Sequence, residues 1–79
     1  MKVYKTRITT QFTKVEASKI LKAKAIGDKL FIWYLTGDND AHLEVWIANT
    51  GEDLAPGFHF GYVDTVFFDN GTIQHIFVR

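Results

Sequence analysis

The sequence predicts a small all-β domain, an antiparallel meander or half-open barrel of six or seven short strands. Turn signals recur roughly every ten residues, which is the spacing typical of such folds. Val, Ile, Thr and aromatic residues fill the segments between the turns, as half-buried strands require. A length of 79 residues leaves room for one hydrophobic core, so residues 1–79 are predicted to form a single domain.

Seven segments between the turn signals have strand composition. They are 2–8, 12–17, 20–26, 29–36, 42–48, 59–68 and 72–78. A β-rich α+β fold is the alternative, with one short helix near 13–19, because Ala17 and Ile20 share a helical stripe in this region. Leu21, Ala23 and Ala25 alternate with lysines, so 20–26 is predicted to be a strand.

Gly27-Asp28 predicts a two-residue hairpin turn with glycine at its first central position. This turn places Lys24 opposite Phe31 and Lys22 opposite Trp33. The four side chains then share one face of the hairpin, and small and large apolar residues share the other. The first face is the candidate binding site, because ammonium groups can meet phosphates while rings stack on bases. Two other interpretations stay open, lysine stems packed over the rings and an aromatic anchor for a protein partner.

Asn70-Gly71 predicts a second two-residue hairpin, in which both central residues adopt positive φ. In that register Val66 faces His75, and Asp64 lies diagonal to His75. Three further polar segments are predicted to be turns or irregular connections: 37–40, 50–53 and Pro56-Gly57.

The composition excludes several classes of protein. Cysteine is absent, which excludes a disulfide scaffold, a thiol nucleophile and an iron–sulfur site. No apolar run reaches 18 residues and the first residues do not resemble a signal peptide, so we expect a cytoplasmic protein without membrane contact. The three histidines show no paired metal-ligand spacing, and no cofactor motif is present. No metal or cofactor is therefore predicted.

The formal net charge is zero, but the charges are unevenly distributed along the chain. Residues 1–29 carry eight basic and two acidic side chains, and residues 30–79 carry one basic and seven acidic ones. Such asymmetry can mark a polar surface that binds an anionic partner. The simpler interpretation is that the two halves pair as neighbouring strands, so that their charges interleave.

Two weaker chemical sites are considered. The Asp64–His75 pair could orient an imidazole for acid–base chemistry, but no nucleophile is marked beside it, so a hydrogen-bonded structural pair is favoured. Asn49-Thr50-Gly51 could offer backbone N–H groups to an anion, but the following Glu52 and Asp53 favour a plain turn. No enzymatic activity is predicted.

Several short motifs resemble a family of small bacteriophage and prophage proteins that is catalogued as a domain of unknown function. The motifs are Lys2-Val3-Tyr4-Lys5, Ser18-Lys19-Ile20-Leu21 before a Gly-Asp turn and Trp33, Val45-Trp46-Ile47-Ala48-Asn49-Thr50-Gly51, Gly61-Tyr62-Val63-Asp64-Thr65-Val66 and His75-Ile76-Phe77. The family usually has Gly where this chain has Asn49. The resemblance implies a phage origin and action in the bacterial cytoplasm, and it supplies no activity.

The strands at 29–36 and 59–68 carry large side chains on both faces, which is more apolar area than one short sheet covers. A homo-oligomer or another partner is therefore expected. The leading functional hypothesis is a non-enzymatic phage accessory protein that binds a host component, either a protein or a small nucleotide, and blunts a bacterial defence system, as an anti-CRISPR-like inhibitor does, by occlusion or sequestration. The alternatives are a sponge for a signalling nucleotide held between protomers by Lys22, Lys24 and Trp33, and a structural or virion-associated module. Nucleic acid is a less favoured partner.

Overall fold

The structure is a computed structural model that describes residues 1–54 and 59–79. Seven strands are present in this part of the chain. They are β1 (Lys2–Ile8), β2 (Phe12–Ala17), β3 (Lys19–Ile26), β4 (Lys29–Thr36), β5 (Ala41–Asn49), β6 (Gly61–Phe67) and β7 (Ile73–Val78). The prediction of an all-β protein is confirmed, and every predicted strand is present with bounds that differ by at most two residues.

The helix considered near 13–19 is absent, and this alternative is wrong. Residues 12–17 form β2, which pairs with β5 along its whole length. Val15 and Ala17 point into the core while Lys14 and Glu16 stay exposed. The alternation of exposed and buried residues along β2 therefore prevails over the helical stripe.

The strands form two antiparallel sheets that pack face to face, and neither sheet closes into a barrel. The first has three strands in the order β1-β4-β3, and the second has four in the order β2-β5-β7-β6. The smallest dimension of the Cα trace is 16 Å, which suits two layers about 10 Å apart. The two sheets come closest at their edge strands β3 and β6.

The core fills the space between the two sheets. Each sheet contributes an isoleucine that is fully excluded from solvent, Ile32 from β4 and Ile76 from β7. The remaining buried apolar residues of the cluster are Ile8, Val15, Ala17, Ile20, Ala23, Leu30, Val45, Ile47 and Val66. These nine residues come from the six strands β1 to β6, so the core connects both sheets.

The hairpin at Gly27-Asp28 has the predicted register. Lys22 pairs with Trp33 and Lys24 pairs with Phe31. Gly27 has a φ of 65°, a left-handed conformation that favours glycine. The strand is irregular between Ile20 and Lys22, where a bulge shifts the pairing by one residue.

The second hairpin differs from its prediction. Positive φ falls on Gly71 alone, at 89°, and the loop has three residues because the Phe68 N–H donates to the Thr72 carbonyl. Val66 consequently pairs with Gln74, and Thr65 pairs with His75. The predicted register is therefore wrong by one residue, and a one-residue shift exchanges the two faces of a strand.

The other turns lie in the predicted segments. The Gly37 N–H donates to the Asp40 side chain at 2.8 Å, and the Glu52 N–H donates to the Asn49 carbonyl at 3.0 Å. The connection predicted at Pro56-Gly57 lies outside the described residues.

Packing two sheets buries one face of each, and large apolar side chains remain on both outer faces. The outer face of the three-stranded sheet exposes Val3 and Ile26, and that of the four-stranded sheet exposes Phe67, at 69% of its surface. The apolar surplus predicted for strands 29–36 and 59–68 is thus reduced by the second sheet but not removed.

Candidate functional site

The predicted site residues lie together on the outer face of the three-stranded sheet. Phe31 and Trp33 are two residues apart on the central strand β4 and are half-buried. Lys24 and Lys22 lie beside them on β3 and are exposed. The four residues therefore form one contiguous surface, as their hairpin register predicts.

Strand β1 adds two cations that the sequence did not place in this site. Lys5 pairs with Trp33 and Arg7 pairs with Phe31, on the side opposite β3. Each ring is therefore flanked by a cation on either neighbouring strand. No turn joins β1 to β4, so the only sequence signal for this pairing is the alternation of Val3, Lys5 and Arg7 with inward residues.

The outer face of the three-stranded sheet is uniformly basic, and we call it the basic face. Its cations are Lys5, Arg7, Lys19, Lys22, Lys24 and Lys29, with Phe31 and Trp33 at its centre. The three strands contain seven basic residues and no acidic one, while β2, β5, β6 and β7 contain one basic and three acidic residues. The interpretation that the charges interleave is therefore wrong for this sheet. Interleaving is limited to pairs such as Lys14 with Glu44.

The two rings differ in how they are covered. The Lys5 ammonium lies over the Phe31 ring, 5.2 Å from its centroid. This contact agrees with the interpretation in which lysine stems pack over aromatic rings. No cation within the described residues lies over the Trp33 ring, so a base can stack there without displacing such a contact.

Lys22 has a structural partner at the seam between the sheets. Its Nζ lies 3.1 Å from Oδ2 of Asp64 on β6, and the same oxygen accepts a hydrogen bond from the Ala23 N–H at 3.3 Å. Burial by itself raises the pKa of Asp64, but the Lys22 hydrogen bond, the Ala23 N–H, the Lys22 charge and the Thr65 N–H together hold the pKa below its usual value. Lys22 is consequently less available to a ligand than Lys24.

We expect Asp64→Asn to lower the free energy of unfolding by about 1 kcal/mol at pH 7, because it removes a charged hydrogen-bond acceptor from a partly exposed seam. A carboxylate with a lowered pKa stabilises the fold above its unfolded pKa of about 3.9, and this stabilisation is lost as the pH falls through the folded value. The difference between wild type and variant should therefore shrink below about pH 4. Urea unfolding at pH 7 and in acid measures it.

Lys22→Met is the matched control for this prediction, because it keeps Asp64 and the bond from the Ala23 N–H. Its loss of stability should be the smaller of the two. A wild type and an Asp64→Asn variant with the same stability at both pH values would show that the seam contact contributes nothing.

The Asp64–His75 pair considered from the sequence is not formed. The corrected register turns Asp64 towards β3, while both ring nitrogens of His75 contact hydroxyl groups. Nε2 lies 2.9 Å from Oγ1 of Thr50, and Nδ1 lies 3.1 Å from Oγ1 of Thr65. Thr65 in turn lies 2.7 Å from the Tyr62 hydroxyl. These contacts satisfy a half-buried imidazole within the four-stranded sheet.

A row of four aromatic rings crosses the outer face of the four-stranded sheet, and the sequence did not reveal it. Phe12, Trp46, Phe77 and Tyr62 are register neighbours on β2, β5, β7 and β6. Phe60 packs on Trp46 at 5.6 Å and on Phe77 at 6.3 Å between ring centroids. The row needs three strand pairings to align, and no turn signal predicts the pairing of β5 with either neighbour.

Arg79 packs among these rings and is engaged by a carboxylate. Its guanidinium carbon lies 5.5 Å from the Trp46 ring centroid, and Nη2 lies 2.9 Å from Oε1 of Glu44. The Trp46 indole N–H is buried and has no hydrogen-bond partner within the described part of the chain. Because Arg79 is already paired and Lys14 on the same face is a register neighbour of Glu44, this face offers less attraction to an anion than the basic face does.

The remaining candidate sites contain their own counter-charges. The Asn49 N–H lies 3.4 Å from Oε1 of Glu52, so the chain's own carboxylate occupies the predicted anion position in this turn. A cavity of about 490 Å³ at one end of the sandwich places Arg7 and Lys29 near Asp28 and Glu52. Neither place presents a net positive surface.

Residues 1–54 and 59–79 contain no cluster of three or more His, Asp or Glu side chains arranged to hold a metal ion. They also contain no helix with the length and apolarity needed to span a membrane.

Comparison with known proteins finds no matching family model, curated relative or solved structure. Function is therefore inferred from the surfaces of the chain itself.

Proposed function

We propose that the chain is a non-enzymatic phage accessory protein that binds an anionic host component through its basic face and blocks it by occlusion or sequestration. The observation that carries this proposal is the segregation of charge, six outward cations on one sheet with no acidic residue on its three strands. A surface of one sign attracts partners of the other sign and accelerates their encounter. The phage origin rests on the resemblance of the sequence motifs, and the anti-defence role rests on an analogy with other small phage proteins that lack a catalytic constellation.

The basic face also has the apolar component that a stable complex requires. Phe31 and Trp33 form its centre, and cations surround them on β1 and β3. Interfaces commonly combine a central aromatic anchor with a polar rim that excludes water. Self-association of the chain, which the exposed apolar residues predict, stays a prediction.

We expect the double substitution Arg7→Gln and Lys24→Gln to abolish capture of the partner from bacterial lysate by the tagged protein. The matched control is Lys2→Gln with Lys14→Gln, which removes the same two charges outside the basic face. All four side chains are exposed, so both variants should fold normally. Mass spectrometry of the captured proteins and nucleotides identifies the partner.

Equal loss of capture in both double variants would mean that net charge alone mediates the contact, and unchanged capture in both would remove the basic face from the mechanism. Either result contradicts the proposal.

A second candidate, a sponge for a signalling nucleotide, is favoured by one observation. A groove of about 300 Å³ beside β3 is lined by Lys24 and by the exposed Phe67 of β6, so that a cation and a ring border one recess. Asp64 also lines this groove and would repel a phosphate. Recovery of a small nucleotide in place of a protein from the capture experiment would select this candidate.

A further inference from the structure

We infer that the basic face binds single-stranded nucleic acid, with one base stacked on Trp33, the next on Phe31, and the phosphates held by Lys5, Arg7 and Lys24. This inference rests on the proposed function, because it names the class of the anionic partner. It is carried by the arrangement of rings and cations across three adjacent strands.

The spacing of the two rings suits consecutive nucleotides of an extended strand. Phe31 and Trp33 are two positions apart on β4, which corresponds to about 6.8 Å along the strand. Stacked nucleotides within a duplex advance about 3.4 Å per step. An unstacked single strand extends further per nucleotide, so that each ring can receive one base.

The cations stand where a sugar–phosphate backbone would pass. Lys5 and Arg7 line one side of the ring pair on β1, and Lys24 lines the other side on β3. Adjacent strands lie about 4.8 Å apart, so these side chains reach beyond the edges of the rings. None of the three forms an ion pair with another described residue, and the Lys5 ammonium needs only to leave the Phe31 ring.

The ring pair distinguishes single strands from the other polyanions. Base faces are available to a flat aromatic surface only when the bases are unstacked. An acidic protein segment could use the cations and cover the rings, but it has no succession of flat bases to stack on both of them. We therefore expect a preference for single strands over both a duplex and an acidic peptide.

Intrinsic fluorescence tests the stacking directly. The chain has two tryptophans, so Trp46→Phe leaves Trp33 as the sole source of tryptophan emission while keeping a ring in the aromatic row. We expect oligothymidylate and oligouridylate of about ten nucleotides to quench this emission in a saturable manner. A duplex of the same sequence and a polyglutamate peptide should quench it weakly or not at all.

A labelled oligonucleotide measures the contribution of the ring in the full chain. Trp33→Leu should weaken binding about tenfold, because one stacking contact is lost while apolar area is kept. Trp33→Phe should restore most of the affinity, and Phe12→Leu, which changes a ring on the opposite outer face, should leave it unchanged. Circular dichroism confirms that each variant is folded.

Absence of binding to both oligonucleotides would overturn the inference. Binding that leaves Trp33 emission unchanged and is equally strong for the duplex would also overturn it. Suppose that single strands do not bind, but that Arg7→Gln with Lys24→Gln still abolishes capture of a host protein. The proposed function then stands, and its partner is an acidic protein. If capture is also unaffected, both fail together.

Discussion

We expect Ile32→Ala to lower the free energy of unfolding by about 3 kcal/mol, because it removes three carbon atoms from a fully enclosed position in the core. Ile32 is 0% exposed on the central strand β4, and its neighbours in register are Thr6 on β1 and Ala23 on β3. Both neighbours are held in the strand ladder, and Ala23 is small, so they cannot close the cavity. Urea unfolding followed by circular dichroism measures the change.

The size of this effect matters because a domain of this length has little stability to lose. A chain of 79 residues is expected to have a free energy of unfolding of about 4–12 kcal/mol. A loss of about 3 kcal/mol shifts the folding equilibrium about a hundredfold and leaves some such domains partly unfolded.

Ile26→Ala is the matched control, since it makes the same chemical change in the same sheet. Ile26 is 47% exposed at the end of β3, and its substitution should cost about 0.5 kcal/mol. Similar losses for the two variants would contradict a core that lies between the sheets with Ile32 at its centre.

The second large effect concerns salt. If Lys5, Arg7 and Lys24 each neutralise one phosphate, binding of a single strand should weaken about 20-fold when NaCl rises from about 50 to 200 mM, because counterions released on binding oppose it. The slope of log affinity against log salt is about −0.7 per phosphate contacted, or about −2 for three contacts. Fluorescence titration at four or more salt concentrations gives this slope.

Arg7→Gln with Lys24→Gln should reduce the slope to that of one contact, about threefold weakening over the same range. The control pair Lys2→Gln and Lys14→Gln should keep the wild-type slope. A wild-type affinity that is insensitive to salt would show that the phosphates do not meet these cations.

Local signals in the sequence predict most of this fold. The hairpin at Gly27-Asp28 was predicted with its register because a two-residue turn determines which residues pair. That register was enough to bring Lys22, Lys24, Phe31 and Trp33 onto one face. The second hairpin shows the limit of such signals, since Asn70-Gly71 fits both a two-residue and a three-residue loop, and the structure adopts the second.

Pairings between distant strands could not be predicted in this way. Lys2 pairs with Thr36 across 34 positions, and no turn between them determines the register. The predicted site therefore lacks the two cations of β1, although they double the number of cations that lie beside Phe31 and Trp33. The bulges near Leu21 and Val63 also carry no marker in the sequence. The three-residue loop of the second hairpin turns Asp64 away from His75 and towards Lys22.

The position of β7 has a consequence for how the chain is made. This strand follows the other six along the chain, yet it lies between β5 and β6. On a translating ribosome, the strands of the three-stranded sheet have all emerged once residue 36 is free, whereas β5 and β6 have no neighbour in common until residues 73–78 are released. We expect nascent chains to expose the inner side of their early strands until residues 73–78 have emerged, which makes them clients for chaperones up to that point.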